Sequence, residues 1–426
     1  MTDLLDLPQG SVVALQVPGS TAYVEVVLAL LGRGVVPAPL DPRLTAAETA
    51  GILEDLEPVA HVTDPADVDD LAERVAGEPR RTPLARPMHM TSGTTGRPKG
   101  VWSGVLTEEQ GRALVEEERD LWGFRSDDVN LVVSPLHHSA PLRFAMGTVL
   151  AGGRLVVPGP FDVARLTHAI ESEHPTTAFV VPTHLARLFA HWDEVGTPDL
   201  SSFRLLAHAG AACPQPVKER LLETFPPGTT WEFYGSTEGQ LTACPGEEWR
   251  ERPGTVGRAR PGRSITVAED RTIWCVVPEH ARFTYYREPA KTAEAWRETP
   301  DGPAFTVGDH GRIDDDGYLY LDGRREDLVI SGGVNVYPAE VEDVLSAVPG
   351  VLQVAVFGRE DPDWGQRVCA AYVGEADPAD LAARARERLS PAKRPKEYHR
   401  LDDLPHTPTG KVQRLLLPDL VEPDPA

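Results

Sequence analysis

The stretch "MTSGTTGRPKG" at residues 90–100 collects small, hydroxyl-bearing and basic side chains. Glycines and other small residues let backbone N–H groups come close to an anion, while serine, threonine and lysine side chains add further donors. This composition predicts a loop that cradles phosphate. The glycine spacing, and Gly100 directly after Lys99, differ from a Walker loop. We therefore expect a nucleotide-phosphate site of another kind.

Three further segments carry side chains suited to a nucleotide and a metal ion. They are "EFYGSTEG" at 232–239, "TVGDHGRIDDDGYLYLDGRRED" at 306–327 and "PHTPTGKVQR" at 405–414. A carboxylate such as that of Glu238 suits a hard cation, and Lys411 lies in a loop rich in proline and glycine. Taken alone, the three segments also fit a helix N-cap, a hairpin charge facing solvent and a solvated surface lysine. Their joint presence needs one explanation.

Together, and in this order, the four segments resemble the adenylate-forming (AMP-binding) superfamily of acyl- and aryl-CoA ligases, peptide-synthetase adenylation domains and luciferases. The resemblance extends over nearly the whole chain. It includes "PLHHSAPL", "HAGAACPQPVKERLLETF" and "ISGGVNVYPAEVE", which look most like acyl-CoA ligases. The chain looks like a compact member with a shortened N-terminal region. The segment between "HVTDP" and the phosphate loop is also short, which leaves fewer residues to form the wall of the substrate pocket.

The resemblance implies a reaction in which a carboxylate joins the α-phosphate of ATP and a thiol then takes the acyl group. Both steps depend on positioning and charge stabilisation. It implies that Lys411, Thr237 and Glu238 are catalytic and that Glu238 binds Mg²⁺. The expected nucleotide-binding residues are Thr91, Ser92, Gly93, Thr94, Thr95, Gly96, Lys99, Gly210, Ala211, Ala212, Tyr234, Gly235, Ser236, Thr237, Asp309, Arg324 and Lys411.

Within that set the resemblance assigns individual contacts. Tyr234 would lie against adenine, Thr237 at the α-phosphate, Asp309 on both ribose hydroxyls and Arg324 beside ribose and phosphate. Lys411 would offset the charge that builds on the attacking carboxylate and the α-phosphate. The basic cluster Lys393, Arg394 and Lys396 could attract a phosphate of CoA, although such clusters are commonly only solvated.

The expected substrate pocket contains His137, His138, Arg143, Gly210 and Gly235. Arg143 is unusual because its neighbours in "APLRFAMGTVL" are apolar, and a guanidinium there needs an anionic partner. We hypothesise that it binds an anion of the substrate. An internal pair with an Asp or Glu of the protein is at least as good an explanation.

The elements that must position these residues alternate between strand-like and helix-like runs, as in "SVVALQVP", "TAYVEVVLALLGRG" and "VVPAPLDP". This order predicts an α/β fold with parallel sheets flanked by helices. Shorter strands and hairpins follow from about Trp274. In "YPAEVEDVLSAVPGV", Val341, Val344, Leu345 and Val348 mark one face of a helix that begins at Pro338. The resemblance further implies an N-terminal domain at 1–323, a hinge at 324–326 with Glu326 as pivot, and a mobile α+β domain at 327–426.

Composition limits the partners. The 426 residues carry a formal net charge of −23, which argues against nucleic acid and against an anionic membrane. The N-terminus lacks a basic start followed by an apolar core, so we expect a cytoplasmic protein. Four widely spaced cysteines indicate neither a zinc site nor a disulfide framework. Expected cofactors are ATP, Mg²⁺ and CoA as acceptor, and the expected state is a monomer or homodimer.

The leading functional hypothesis is a ligase that adenylates a small or medium carboxylic acid, aromatic acids included, and transfers it to CoA. A second hypothesis is a diazotase of secondary metabolism that activates nitrite as an adenylate and diazotises an aryl amine. Loading of a carrier protein and a catalytically silent nucleotide-binding paralogue remain further alternatives.

Overall fold

A computed structural model describes residues 3–91, 99–324, 327, 329–331, 334–361, 365–389, 391, 393–406 and 412–421. The first part of the chain forms a three-stranded parallel sheet in the order β2, β1, β3. Ser20 caps the helix between the first two strands by accepting a hydrogen bond from the backbone N–H of Tyr23. The elements are β1 (Val12–Leu15), α1 (Thr21–Leu31), β2 (Val36–Pro39), α2 (Ala46–Leu56), β3 (Ala60–Val62), α3 (Pro65–Val75) and β4 (Met90–Thr91).

The middle of the chain builds a seven-stranded sheet. Its elements are β5 (Lys99–Trp102), α4 (Glu108–Trp122), β6 (Val129–Val132), α5 (Ser139–Leu150), β7 (Arg154–Val156), α6 (Val163–Glu173), β8 (Thr177–Val180), α7 (Pro182–Val195), β9 (Leu205–His208), α8 (Gln215–Thr224), β10 (Thr230–Glu232), β11 (Thr242–Pro245), α9 (Gly246–Glu251) and β12 (Arg258–Ala259). The strand order is β12, β11, β10, β9, β8, β6, β7, with β5 outside the sheet. From β7 to β10 all neighbours are parallel, as the alternating pattern predicts.

Antiparallel strands follow. They are β13 (Ser264–Val267), β14 (Ile273–Val276), β15 (Thr284–Tyr285), β16 (Trp296–Thr299), β17 (Gly302–Phe305), β18 (Asp309–Ile313) and β19 (Leu319–Arg324), with α10 at Pro289–Ala295. One sheet has the order β13, β14, β17, β16, and another has the order β15, β5, β4. Strands β18 and β19 form a hairpin whose turn contains Gly317 at φ 85°. That left-handed conformation suits glycine, in agreement with the predicted Asp-Gly turn.

The last part of the chain is a compact α+β unit. It contains β20 (Val329–Ser331), β21 (Val334–Val336), α11 (Pro338–Ser346), β22 (Val351–Asp361), β23 (Gly365–Gly374), α12 (Pro378–Arg388), β24 (Glu397–Arg400) and α13 (Leu417–Leu420). The sheet order is β21, β20, β23, β22, and β24 pairs parallel to β23. Helix α11 begins at Pro338 as expected, and Val341, Leu345 and Val348 are buried against the sheet.

These features confirm the predicted fold class. The four cysteines are free; Cys244, Cys275 and Cys369 are buried, and Cys213 is half-buried. In the described part of the chain, no helix combines the length and hydropathy that a membrane span requires. The predicted pivot Glu326 lies outside the described residues.

Candidate active site

Two of the predicted nucleotide-binding segments, at 210–212 and 234–237, follow the carboxyl ends of two neighbouring parallel strands, β9 and β10. This edge is where open α/β sheets place their ligands. Gly210 lies just after β9 at φ 93°, and Ala211 and Ala212 follow it directly. The segment after β10 folds into a tight loop, in which the backbone N–H of Ser236 donates to the carbonyl of Gly239 at 2.9 Å.

Gly235 is required by the close packing of this loop. A Cβ atom at this position would lie 2.6 Å from the carbonyl oxygen of Gly239 and 2.7 Å from the Cα of Gln240. Gly235 and Gln240 also form a β-bridge. The two arms of the loop that carries Ser236, Thr237 and Glu238 are therefore in close backbone contact at its base.

Two predicted nucleotide contacts meet directly. The hydroxyl of Tyr234 donates a hydrogen bond to Oδ2 of Asp309 at 2.6 Å, and both residues are buried. The two residues come from different motifs, one after β10 and the other at the start of β18. Across the β18–β19 hairpin, Asp309 pairs with Arg324. The side chain of Arg324 is not described.

Tyr285 contacts both Glu238, the predicted metal ligand, and Lys99, which is predicted to bind phosphate. The hydroxyl of Tyr285 donates to Oε1 of Glu238 at 2.9 Å, and Nζ of Lys99 lies 5.4 Å from the centre of the Tyr285 ring. Glu238 is only 6% exposed. Burial, together with the nearby Lys291 ammonium, lowers the pKa of Lys99. Two cations and a carboxylate thus share a small space, as expected where phosphates and a divalent cation bind.

The two ends of the phosphate loop are held in register. Thr91 pairs with Lys99 across β4 and β5, and the Thr91 hydroxyl donates to the Lys99 carbonyl at 3.4 Å. Several predicted residues lie outside the described part of the chain. These are Ser92, Gly93, Thr94, Thr95, Gly96, Glu326 and Lys411.

Three histidines cluster at the start of α5. Nδ1 of His89 donates to the carbonyl oxygen of His137 at 3.0 Å, and the rings of His137 and His138 lie 4.0 Å apart. Nε2 of His137 is 3.6 Å from Oδ2 of Asp41. Burial lowers the pKa of His89 to about 4, of His137 to about 4 and of His138 to about 3. All three imidazoles are therefore neutral at pH 7.

A cavity of about 220 Å³ lies beside the loop that carries Ser236 and Thr237. Helices α4 and α5 form much of its wall, and Arg143 projects into it from α5. His89 lines it from the segment before β4. Among the residues expected in the substrate pocket, Arg143 lies in the wall. His137, His138, Gly210 and Gly235 lie outside the described lining.

A buried ionic network supports the cavity. Arg260 pairs with Glu117 and Glu118, both at 2.9 Å, and Arg263 pairs with Glu117. Burial opposes ionisation of Glu117, but the hydrogen bond from His280 and the charges of Arg260 and Arg263 outweigh it. They lower the pKa of Glu117 to about 2. The acid is therefore a carboxylate across the physiological range.

The donors around the loop fit ATP and Mg²⁺. Glu238 has one oxygen bonded to Tyr285, and within the described residues its other oxygen accepts no hydrogen bond. No group of three or more acidic, histidine or cysteine side chains suited to a metal occurs in the described residues. Mg²⁺ commonly binds through one or two carboxylates plus substrate phosphates and water, so a single buried Glu238 fits this role.

Sequence reasoning missed several residues of this site. Tyr285 holds the Glu238 carboxylate, and Arg86 donates to the backbone carbonyls of Glu238 at 3.3 Å and Arg282 at 3.2 Å. Glu118 is the ionic neighbour of Arg143. None belongs to a recognisable motif. The only available signal was an isolated charge in a largely apolar stretch, as for Arg86 in "PLARPMHM".

Comparison with known proteins agrees with the resemblance to the AMP-binding superfamily. The model of the AMP-binding enzyme family matches residues 2–87 and 87–281, and the model of the AMP-binding enzyme C-terminal domain matches residues 340–411. The chain is 34% identical over 449 residues to the feruloyl-CoA synthase of Amycolatopsis sp, which covers 95% of this chain and 87% of the relative.

Two further relatives extend the comparison. The chain is 30% identical over 462 residues to the long-chain-fatty-acid–CoA ligase FadD13 of Mycobacterium tuberculosis, which covers 97% of this chain and 88% of the relative. Among solved structures, ATP-bound MatB from Rhodopseudomonas palustris matches with a TM-score of 0.83 at 29% identity. That match covers 98% of this chain and 90% of MatB.

Proposed function

Because the chain belongs to the AMP-binding enzyme family, we propose that it is an ATP-dependent, AMP-forming ligase joining a small or medium carboxylic acid, aromatic acids included, to CoA. The acid carboxylate attacks the α-phosphate and releases pyrophosphate. The CoA thiol then attacks the acyl adenylate and releases AMP. The observation that carries the proposal is the convergence of three separate motifs at Tyr234–Asp309 and Glu238–Tyr285–Lys99.

The nucleotide is proposed to lie along the carboxyl edge of β9 and β10. Asp309 would accept hydrogen bonds from the ribose hydroxyls, because its carboxylate is buried and already oriented by the Tyr234 hydroxyl. Tyr234 would contact adenine beside the turn at Gly210. Arg324, adjacent to Asp309 in the hairpin pairing, would bind ribose or phosphate.

The phosphates are proposed to lie between the 92–98 loop and Glu238. Bound Mg²⁺ would neutralise phosphate charge, and Glu238 is its proposed protein ligand. Thr237 would donate to the α-phosphate from the same loop. Lys99 and the loop that it ends would bind the departing pyrophosphate, and Lys411 would stabilise the charge at the reacting centre.

The size of the cavity supports a small or medium acid. Its volume of about 220 Å³ lies below the roughly 300–1,000 Å³ that is usual for pockets of drug-sized ligands. Apolar residues from α5, including Met146 and Leu150, cover part of the wall. An acid with a compact hydrocarbon or aromatic body therefore suits this space better than an extended acyl chain.

The alternatives have less support. The relatives described above with named ligase or synthase activity act on acids and CoA, so nitrite activation followed by diazotisation lacks support among them. The same names favour CoA over a carrier protein as acceptor. A catalytically silent paralogue is hard to reconcile with Glu238 and Asp309, both of which are present and buried in polar contacts.

We propose that the domain carrying Lys411 turns about a hinge at 324–326 between the two half-reactions, with Glu326 as pivot. The N-terminal domain would comprise residues 1–323 and the mobile domain residues 327–426. The protein would act as a monomer or homodimer.

The experiment is to measure pyrophosphate release from ATP with a panel of carboxylic acids, with and without CoA. Acid-dependent release, and a CoA thioester identified by mass spectrometry, are expected. Lys411→Ala should reduce pyrophosphate release by at least 100-fold if Lys411 stabilises the reacting charge. Arg388→Ala is the control, because Arg388 is an exposed cation in α12 of the same proposed domain and pairs with Glu387 at 3.4 Å. Absence of release with every acid would reject the proposal.

A further inference from the structure

The cavity wall is rich in arginine although the protein is strongly acidic. Of the described residues that line it, five are arginines, and Glu118 is the one carboxylate. The chain as a whole has a net charge of −23. A cluster of guanidinium groups around a small cavity in such a protein requires an explanation, because a buried cation is costly without an anionic partner.

The protein's own carboxylates do not neutralise this cluster. Arg143, Arg260 and Arg263 share Glu117 and Glu118, so three positive charges face two negative charges. Arg119, at the cavity edge, is 55% exposed and pairs with Asp120, so it stands apart from this balance. One positive charge of the buried network is left over.

Arg86 adds a further charge from the other side of the cavity. Its guanidinium donates only to the backbone carbonyls of Glu238 and Arg282 within the described residues. Burial, followed by the nearby charges of Arg263 and Arg143, lowers the pKa of Arg86 to about 10. Even so, Arg86 remains a cation at pH 7. The nearby carboxylates of Glu238 and Glu117 offset part of its charge, so the excess positive charge at the cavity is that of Arg143, Arg260 and Arg263.

Arg143 is the arginine with the weakest internal pairing. Its Nε lies 3.4 Å from Oε2 of Glu118, longer than the 2.7–2.9 Å of a charge-assisted hydrogen bond, and Nε makes no hydrogen bond. Oε2 of Glu118 already accepts from the indole N–H of Trp122 at 3.2 Å, and Oε1 accepts from Arg260 at 2.9 Å. The carboxylate of Glu118 is thus mainly engaged by other donors.

The position of Arg143 suits recognition of a ligand. The residue lies in α5 between buried Leu142 and Phe144, which fix the helix against the core. Its guanidinium lies 5.3 Å from the centre of the Phe233 ring, and its side chain remains 21% exposed in the cavity wall. The cation–π contact with Phe233 helps to hold the guanidinium in place, while its nitrogen atoms can still bind a planar anion.

We propose that the acid activated by this protein carries a second carboxylate, which Arg143 binds while the first carboxylate reacts beside Thr237. This inference rests on the proposed function and narrows it to dicarboxylic acids. The substrate's second carboxylate supplies the negative charge that Glu117 and Glu118 do not. A small diacid also suits the volume of about 220 Å³.

The test compares dicarboxylic acids with their own monomethyl esters. A panel of short linear and aromatic diacids is assayed by acid-dependent pyrophosphate release, and each diacid is paired with its monoester. The ester retains one reactive carboxylate and the same carbon skeleton but lacks the second charge. For the best diacid, kcat/KM of the unmodified protein should exceed that of its monoester by about 10- to 100-fold.

Substitution of Arg143 gives the second arm. Arg143→Gln should lower kcat/KM for the diacid by at least 10-fold while changing that for the monoester by less than twofold, and Arg143→Lys should restore part of the preference. Arg187→Gln is the matched control, because Arg187 stacks on the Phe161 ring at 4.9 Å and lies outside the cavity lining. Its diacid preference should equal that of the unmodified protein.

The outcomes separate the inference from the proposed function. A monoester used as well as its diacid by the unmodified protein overturns the inference, even if no Arg143 variant folds. Equal losses for both members of the pair in Arg143→Gln also overturn it, because Arg143 would then hold the reacting carboxylate or the wall. Activation of monocarboxylic acids alone overturns the inference and leaves the ligase function standing. No pyrophosphate release with any acid rejects both.

Discussion

At the scale of single residues, the site depends on neighbours that orient its charged groups. Glu238 is buried, and the hydroxyl of Tyr285 fixes one of its oxygens at 2.9 Å. A carboxylate that is oriented before the metal arrives loses less freedom on binding. If Glu238 binds Mg²⁺ as proposed, Tyr285 is a positioning residue that acts through Glu238 and not on the substrate.

Tyr285→Phe should raise the Mg²⁺ concentration needed for half-maximal pyrophosphate release by several-fold, with a smaller change at saturating Mg²⁺. The ring remains beside Lys99, while the hydrogen bond to Glu238 is lost. A Mg²⁺ titration of the activity measures this shift. Tyr286→Phe serves as control, because that ring packs on Trp102. An unchanged Mg²⁺ requirement in Tyr285→Phe would show that the hydroxyl does not position the metal ligand.

The buried histidine cluster predicts a loss of stability in acid. The pKa of His89 is about 4 in the folded protein and near 6.5 in an unfolded chain, since burial disfavours the charged ring. The unfolded state therefore binds a proton first as pH falls. The stability contributed by a neutral His89 is complete above pH 6.5 and decreases toward pH 4 by about 3 kcal/mol.

His89→Asn removes this titration. Its free energy of unfolding should lie below that of the unmodified protein at pH 7, and the difference should shrink as pH falls from 6.5 to 4. Denaturant unfolding at several pH values measures the two curves. A difference that stays constant over this range would contradict the buried, neutral state of His89.

At the scale of elements, the loop between β10 and β11 is shaped by backbone contacts. Gly235 lies where the two arms of the loop approach each other, and any side chain would press on Gly239 and Gln240. The same loop presents Ser236 and Thr237 to the cavity. The positions of the Ser236 and Thr237 side chains therefore depend on the absence of a side chain at Gly235.

Gly235→Ala should lower pyrophosphate release by at least 10-fold without removing any polar side chain, because the loop must open to admit the methyl group. Initial rates and a thermal unfolding curve separate misplacement from unfolding. Gly51→Ala in α2 is the matched control, since a Cβ there meets nothing within 4 Å. That control should retain activity and gain about 0.5–1 kcal/mol of stability. Full activity in Gly235→Ala would mean that the loop geometry is not critical.

The elements were largely predictable from sequence because their signals are local. Alternating apolar runs gave the parallel strands, and Pro338 with the spacing of Val341 and Leu345 gave α11. The convergence of Tyr234 with Asp309 agrees with the resemblance to known ligases. The ionic network of Glu117, Glu118 and the arginines was not predictable, since it joins residues far apart in sequence that belong to no motif.

Arg143 illustrates what the sequence can show and what only the structure can show. Its unusual place in an apolar helix was visible in the sequence, as was the need for an anionic partner. Only the structure reveals that its internal partner, Glu118, is shared with Arg260 and Trp122. Partner choice among distant side chains depends on tertiary packing, which a single sequence does not encode in any local pattern.

At the scale of the whole molecule, the proposed reaction draws on two parts of the chain that have separate cores. The proposed nucleotide site lies on the large sheet, whereas Lys411 follows β24 in the last part of the chain, whose described residues form a core around Val341 and Tyr372. This arrangement supports a mechanism in which one unit holds the substrates and the other supplies a movable charge. The high negative charge of the protein is offset locally by the arginines of the cavity and by Lys99.

The most direct test of the central claim follows the oxygen atoms of the acid. An acid that supports pyrophosphate release is labelled with ¹⁸O in its carboxylate and incubated with ATP, Mg²⁺ and CoA, and the AMP is analysed by mass spectrometry. Attack of the carboxylate on the α-phosphate, followed by thiol attack on the carbonyl, leaves one labelled oxygen on AMP. AMP carrying one ¹⁸O is the predicted result. Unlabelled AMP, or label in inorganic phosphate with ADP as the nucleotide product, would contradict an acyl-adenylate mechanism.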